Sequence, residues 1–238
     1  MHLVERIDKL SLDDIERIEK LTLRWIFQAA YDFGAEAHEI FRRSRDKVED
    51  VAEDVTRELL DRLPGYNIPR RVFGTVDYKK YRYIILPELL VRQALFVDSK
   101  AEKSADNATL QMSQTSLRIR QKRDNREVDE PGSLPSIYND EGVNLLTTTA
   151  FIHFHYESAQ GAYRLLSATL ICLPNGRLQE KYNPDAQHGF WKAGRDAPTL
   201  GEDFRVRVSF KALADLARWR VQQLNYDATG RCAGEWHE

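Results

Sequence analysis

Hydrophobic positions follow two different periods along this chain, and the change of period divides it. Between residues 11 and 62, Ile15, Ile18, Leu21, Leu23, Trp25 and Ile26 recur at broadly helical spacing. Ser11 and Asp14 supply an N-cap and an acidic first turn. Gly34 breaks this helix. A second is predicted through Ala37, Ile40, Phe41, Val48, Val51, Val55, Leu59 and Leu60, ending before Pro64-Gly65. Both read as packing elements.

From Arg71 the pattern becomes that of strands. A short β-favouring run covers 72–77, a second covers 81–86 and stops at Pro87, and a third covers 93–100. The third contains Ala94-Leu95-Phe96-Val97, a continuous apolar stretch typical of a central strand buried on both faces. Residues 101–121 read as polar and partly helical, and 118–136, charged and carrying Pro and Gly, as a loop. Strands return over 150–156 and 165–173. A long loop through Asn183-Pro184-Asp185 leads to an alternating segment at 204–210, and a closing helix is predicted over 211–224. The expectation is an α/β fold with a central mixed sheet flanked by helices. It forms one domain over 1–238, in which helices of 1–62 pack on a core at 70–225.

Composition and charge narrow the class. With 42% apolar and 10% aromatic residues among 238, the chain can bury a sizeable core. No apolar run is long enough to cross a bilayer, the first residues lack a signal-peptide pattern, and Cys172 and Cys232 have no metal-ligand spacing. A cytoplasmic protein with reduced thiols and no membrane partner is expected. Net charge is only −2, but it is unevenly spread. Residues 63–126 hold 13 basic and 6 acidic side chains, between flanks of net −5 and −4. Such a segment makes either a phosphate-attracting surface or a pair of solvated basic loops.

Candidate chemistry lies inside that segment. Asp77 is followed, after 20 intervening residues, by Asp98-Ser99-Lys100, and each aspartate closes an apolar strand. Alternation along a strand puts Asp98 and Lys100 on one side. Taken alone, they read as a strand-end salt bridge. A buried strand should not end in two charges facing one way unless they are paired or bind something. Two carboxylates with one ammonium suit phosphodiester hydrolysis. Asp77 and Asp98 would hold a divalent cation such as Mg2+ through oxygen. Lys100 would orient the attacking water.

Other residues fit contact with double-stranded DNA. Arg205 and Arg207 share one side of a strand, from which arginine can bond guanine in the major groove; a solvent-facing pair is the plainer reading. Arg118, Arg120, Lys122, Arg123 and Arg126 form the densest basic run, either contacting the DNA backbone or belonging to a disordered loop. Lys103, Ser104, Asn107 and Gln111 follow the catalytic strand and are candidates for the cleaved strand or minor groove. Lys79 and Lys80 lie beside Asp77 and are candidates for flanking phosphates. His153 and His155 share a strand face without a third ligand nearby, which favours packed, hydrogen-bonded histidines over a metal site.

The segments Gly74 to Lys80, Leu95 to Ala101 and Thr109 to Gln114 closely resemble the SfiI-like type II restriction endonucleases. The likeness continues at Phe151-Ile152-His153-Phe154, Lys181 to Asp185, Ala193-Gly194, Gly201-Glu202 and Arg205 to Val208, and reaches back to Ala52-Glu53-Asp54. It spans most of the chain in order, with a departure in the loop after residue 117. The resemblance implies a PD-(D/E)xK fold related to BglI-type enzymes, which cut within interrupted palindromes and leave 3′ overhangs. It matches Asp77, Asp98 and Lys100 to the family's catalytic positions. It also brings the Arg205–Arg207 strand forward for base reading of a G-containing half-site. Related folds carry a helical carboxylate toward the metal, a role Glu53 could take, although an exposed glutamate is commoner. A homodimer or homotetramer is implied, with a companion methyltransferase protecting host sites. The rival readings are a repair or structure-selective nuclease, and a DNA-binding protein that does not cut.

Overall fold

Four buried residues, Gln93, Ala94, Leu95 and Phe96, open the strand on which the sheet is centred. In the computed structural model, which describes residues 6–72, 80–123, 125–159, 161–193 and 206–238, three helices come first. They are α1 (Leu12–Asp32), α2 (Gly34–Arg43) and α3 (Val48–Asp61). Ser11 caps α1 through a reciprocal box with Asp14, as its spacing predicts. Then come β1 (Tyr66–Arg71), β2 (Lys80–Ile85), β3 (Gln93–Glu102), β4 (Asn107–Leu110), β5 (Ile119–Arg123), β6 (Arg126–Glu130), β7 (Ile137–Asp140), β8 (Val143–Ala159) and β9 (Ala162–Leu173). The chain closes with α4 (Gln179–Tyr182), β10 (Trp191–Ala193), β11 (Val206–Ser209), α5 (Phe210–Leu216), β12 (Val221–Tyr226) and β13 (Cys232–Ala233).

The main sheet runs β1-β2-β3-β8-β9-β12-β13, with β7 also pairing β8. All its pairings are antiparallel except β3 with β8. It is therefore mixed, and helices flank it as expected. On one face α1 and α2 lie against β9, and α3 lies against β3. The opposite face carries a small sheet ordered β10-β11-β4, together with α5. Phe154 meets Phe41 of α2, and its neighbour His153 meets Phe210 of α5, so the two faces alternate along β8. Among the described residues no helix is long and apolar enough to cross a membrane.

Several elements differ from the periodicity reading. The predicted second helix is two, α2 and α3, because residues 42–47 are all polar and Ser44 leaves helical geometry at ψ 148°. The partly helical stretch at 101–121 is strand β4 plus a single 3-10 turn, Met112–Gln114. The basic loop at 118–136 contains the hairpin β5–β6, in which Arg120 faces Asp129 and Lys122 faces Glu127 across the strands. Opposite charges in facing positions favour that pairing. The closing helix ends at Leu216, and 221–226 is strand β12, where Gln222 and Leu224 point inward while Gln223 and Asn225 point out. Asp98 stands in the middle of β3, not at its end, because the strand runs on to Glu102.

A buried ion pair ties the helical layer to the sheet. Glu19 of α1 and Arg220, just ahead of β12, are both fully buried, with their charged atoms 2.7 Å apart. The Asn175 backbone N–H donates to Glu19 at 2.7 Å, Arg220 donates to the Cys172 carbonyl at 3.3 Å, and the Tyr182 and Trp219 rings sandwich the guanidinium. Burial works against charge on Arg220, and Glu19 together with Cys172 and Tyr182 more than offsets it. Replacing one member strands the other. Glu19→Leu is expected to cost about 3–5 kcal/mol in urea unfolding, with most of the loss recovered in Glu19→Leu/Arg220→Met.

Candidate active site

Strand β3 leaves the core as it advances. Its first four residues are buried and its last six are half-buried. Paired residues of a parallel ladder share a face, and Asp98, Lys100 and Glu102 stand opposite Phe151, His153 and His155. The three charged side chains therefore lie on the face away from the helices. Behind them an aromatic group of Tyr81, Phe96 and Tyr138 fills the same face, with ring centroids 5.0–5.6 Å apart. Apolar packing sets the strand's position up to Phe96, and the charges begin two residues later.

Lys100 Nζ lies 2.7 Å from Asp98 Oδ2. That oxygen is shielded and has no well-aligned hydrogen bond, so the contact is ionic and leaves lone pairs available to a cation. Both residues line a cleft of about 560 Å³ that also takes in Glu53 of α3, Lys80, Gln111 and Gln114. The β2–β3 pairing stops at Arg82 opposite Leu95, which leaves Val97 to Lys100 beside the cleft. Asp77, Lys79 and Arg205 lie outside the described residues. Among the described residues no three acidic, His or Cys side chains gather at metal-binding distances. Asp98 and Glu53 share the cleft with Asp61, which Arg82 holds, and all three offer hard carboxylate oxygens of the kind Mg2+ takes.

Arg82 braces the cleft from beneath. It is nearly buried, pairs with Asp61 at 2.6 Å, and reaches Asn67 Oδ1 at 3.3 Å, which joins the end of α3 to β1 and β2. Periodicity gave no hint of this, because Arg82 reads as an ordinary polar residue of an alternating strand.

The remaining candidates fall in three places. Lys103 and Ser104 are exposed in the turn between β3 and β4, and Asn107 opens β4 opposite Ser209. Arg118 and Arg120 are already engaged: Arg118 with Asp129 at 2.7 Å, Arg120 with Glu180 at 3.0 Å and the Pro184 carbonyl at 2.6 Å. Lys122 is exposed on the same hairpin, and Arg123 is half-buried at its turn. Arg207 is exposed on β11, flanked across the small sheet by Lys192 on one side and Thr109 on the other. Like charges in facing positions repel, yet neither Lys192 nor Arg207 has an ion-pair partner among the described residues. The sequence reading missed Lys192. Its signal is alternation, since it lies between the buried Trp191 and a paired Ala193.

His153 is packed, as its strand position suggests, but not hydrogen-bonded. It is fully buried, neither ring nitrogen has a hydrogen-bond partner among the described residues, and burial pushes its pKa down to about 4.

Known proteins resemble this chain in both sequence and fold. A family model described as type II restriction enzyme SfiI matches residues 30–224. The type II restriction enzyme SfiI of Streptomyces fimbriatus is 38% identical over 235 residues, covering 92% of this chain and 87% of that one. The solved structure of tetrameric restriction endonuclease SfiI bound to cognate DNA superposes with a TM-score of 0.81 at 34% identity, over 96% of this chain and 90% of that one. Restriction endonuclease BglI bound to its DNA recognition sequence gives a TM-score of 0.71 at 18% identity, over 89% and 91%, a likeness of fold. The chain belongs to the SfiI family of type II restriction enzymes.

Proposed function

We propose that this restriction enzyme hydrolyses double-stranded DNA at an interrupted, G-containing palindrome, using Mg2+ held by Asp77 and Asp98. The observation that carries the reading is the Asp98–Lys100 pair, 2.7 Å apart and open to a cleft. A carboxylate and an ammonium so close, half-shielded from water, form a preorganised electrostatic site. Bound there, Mg2+ would neutralise charge on the scissile phosphate and acidify the attacking water.

The chain's own residues do the rest. Asp98 would supply oxygen to a bound cation, which would loosen its hold on Lys100. Lys100 would then orient the water and balance charge developing on the phosphate. Glu53, which lines the same cleft, would hydrogen-bond a water or support a second ion. The products are a 5′-phosphate and a 3′-hydroxyl. Lys80 lines the cleft and would meet flanking phosphates, as would Lys79. Lys103, Ser104, Asn107 and Gln111 surround the path from β3 to β4 and would meet the cleaved strand.

Base reading would fall to Arg205 and Arg207, with Lys192 beside Arg207. The small sheet buries Val206 and Val208 and presents Arg207 outward, as a major-groove reader must. Lys122 and Arg123 would touch the backbone. Arg118 and Arg120 would do so only by leaving the carboxylates they now hold. Palindromic DNA calls for two-fold symmetry with one centre per strand. The SfiI complex, a tetramer on its cognate DNA, supports a homodimer or homotetramer here. The enzyme would work in the cytoplasm beside a methyltransferase that shields host sites.

Digestion of a plasmid, followed by sequencing of the ends, tests the activity. Discrete ends that form only with Mg2+ are expected, and uncut or randomly nicked plasmid overturns the reading. Asp98→Asn and Lys100→Ala should each slow cleavage by about 10²–10⁴-fold while leaving DNA binding in place. A separate comparison addresses recognition. Arg207→Ala should reduce cognate affinity by about 1–3 kcal/mol and affinity for random DNA much less. Equal losses on both would make Arg207 a phosphate contact.

A further inference from the structure

Glu102 continues the alternation of Asp98 and Lys100, two residues further along the same face of β3. That spacing is about 6.6 Å along a strand, within reach for a lysine and a glutamate. Its carboxylate divides between two elements. One oxygen accepts from the Thr109 N–H of β4 at 3.5 Å, and the other lies 4.0 Å from His153 Nε2 of β8. Thr109 is in turn the cross-strand neighbour of Arg207. Glu102 thus sits where the catalytic strand, the small sheet and the buried imidazole meet.

His153 is the unusual member. A fully buried imidazole with neither nitrogen hydrogen-bonded loses its solvation without compensation. Its surroundings on that face are Lys100 and Glu102 of β3, His155 of its own strand, Thr169 of β9 and the edge of Phe210 of α5. Leucine or phenylalanine would fill the same space without that cost. Of the acceptors around it, the Glu102 carboxylate lies about one ångström beyond a hydrogen bond.

We infer that Glu102, oriented by a hydrogen bond from His153, is a positioning residue that couples the Arg207-bearing sheet to Lys100. When Asp98 gives its oxygens to a cation, Lys100 loses the carboxylate it now holds, and Glu102 is the next one on that face. Movement of β4 as Arg207 engages DNA changes the pull of the Thr109 N–H on Glu102. His153 Nε2–H then closes the remaining ångström and fixes the carboxylate against Lys100. Correct contact at the small sheet is in this way transmitted to the ammonium through one side chain. The inference rests on the proposed nuclease reading of Asp98, Lys100 and Arg207.

The test compares wild type, Glu102→Gln, His153→Leu and His153→Gln on a duplex carrying the site found by sequencing wild-type ends, and on single-base variants of it. Binding is measured with calcium in place of magnesium, and thermal unfolding is followed in parallel. His153→Leu removes two unpaired buried nitrogens, so its melting temperature should equal or exceed that of wild type. Its cognate affinity should stay within about twofold, while kcat falls about 10- to 100-fold and discrimination against altered sites narrows. His153→Gln, whose amide can donate from the Nε2 position, should recover much of kcat, and Glu102→Gln should behave as His153→Leu does. Nitrogen-15 NMR of the DNA complex should show His153 protonated at Nε2, with a shift that changes in Glu102→Gln. Wild-type rates in a folded His153→Leu, or a His153 signal indifferent to Glu102, overturn the coupling while leaving the nuclease intact. A wild type that cuts nothing overturns the underlying reading.

Discussion

Everything at the centre depends on one strand serving two media. β3 must be apolar enough to hold the middle of a mixed sheet and polar enough to present Asp98 and Lys100 to a cleft. It does so by changing character along its length. Ala94 and Leu95 have no exposure at all, whereas the side chains of Asp98 and Lys100 retain 21% and 28%. The long parallel ladder to β8 supports both halves, with register held from Gln93 opposite Leu146 to Glu102 opposite His155. A slip of one residue would turn both charges into the helical layer and Leu95 out of it. The geometry of the site is thus enforced by apolar side chains that never touch a substrate.

The helices supply the second constraint. Gln93 at the start of β3 lies 2.9 Å from the hydroxyls of Thr22 in α1 and Thr148 in β8, so polar contacts as well as apolar ones index the layer against the sheet. Glu19 and Arg220 lock the same helix to the far side, and Arg82 fastens the end of α3 to the β1–β2 hairpin. Glu53 and Asp61 of α3 both line the cleft, and Asp61 is the residue that Arg82 holds.

Much of this was legible from the residues. Continuous apolar character marked β3 as central, an N-cap serine with an acidic first turn announced α1, and alternation of charge along a buried strand singled out Asp98 and Lys100. What escaped did so for physical reasons. The break between α2 and α3 is a matter of a few polar residues, which a helix tolerates on its exposed side. The β5–β6 hairpin looked like a loop because its strands are almost entirely polar, with Ile119 and Val128 their only apolar residues. β12 was read as helix because Val221 and Leu224 fit a 3.6 period as well as Leu224 and Gln222 fit a period of two, and only the neighbouring β9 decides between them. Lys192 and Glu102 owe their interest to partners distant in sequence.

The β5–β6 hairpin carries a consequence for ionic behaviour. Binding to DNA weakens with added salt in proportion to the number of phosphates that protein cations neutralise, since each one releases condensed counterions. A cation already neutralised by its own chain releases none unless its internal partner is first displaced. With Arg118 held by Asp129, and Arg120 by Glu180 and Asp129, the richest basic stretch of the sequence adds less to that slope than its composition implies. Under the proposed reading, more of the ionic-strength dependence would fall to Lys122, Lys192 and Arg207, for which the described residues offer no ion-pair partner.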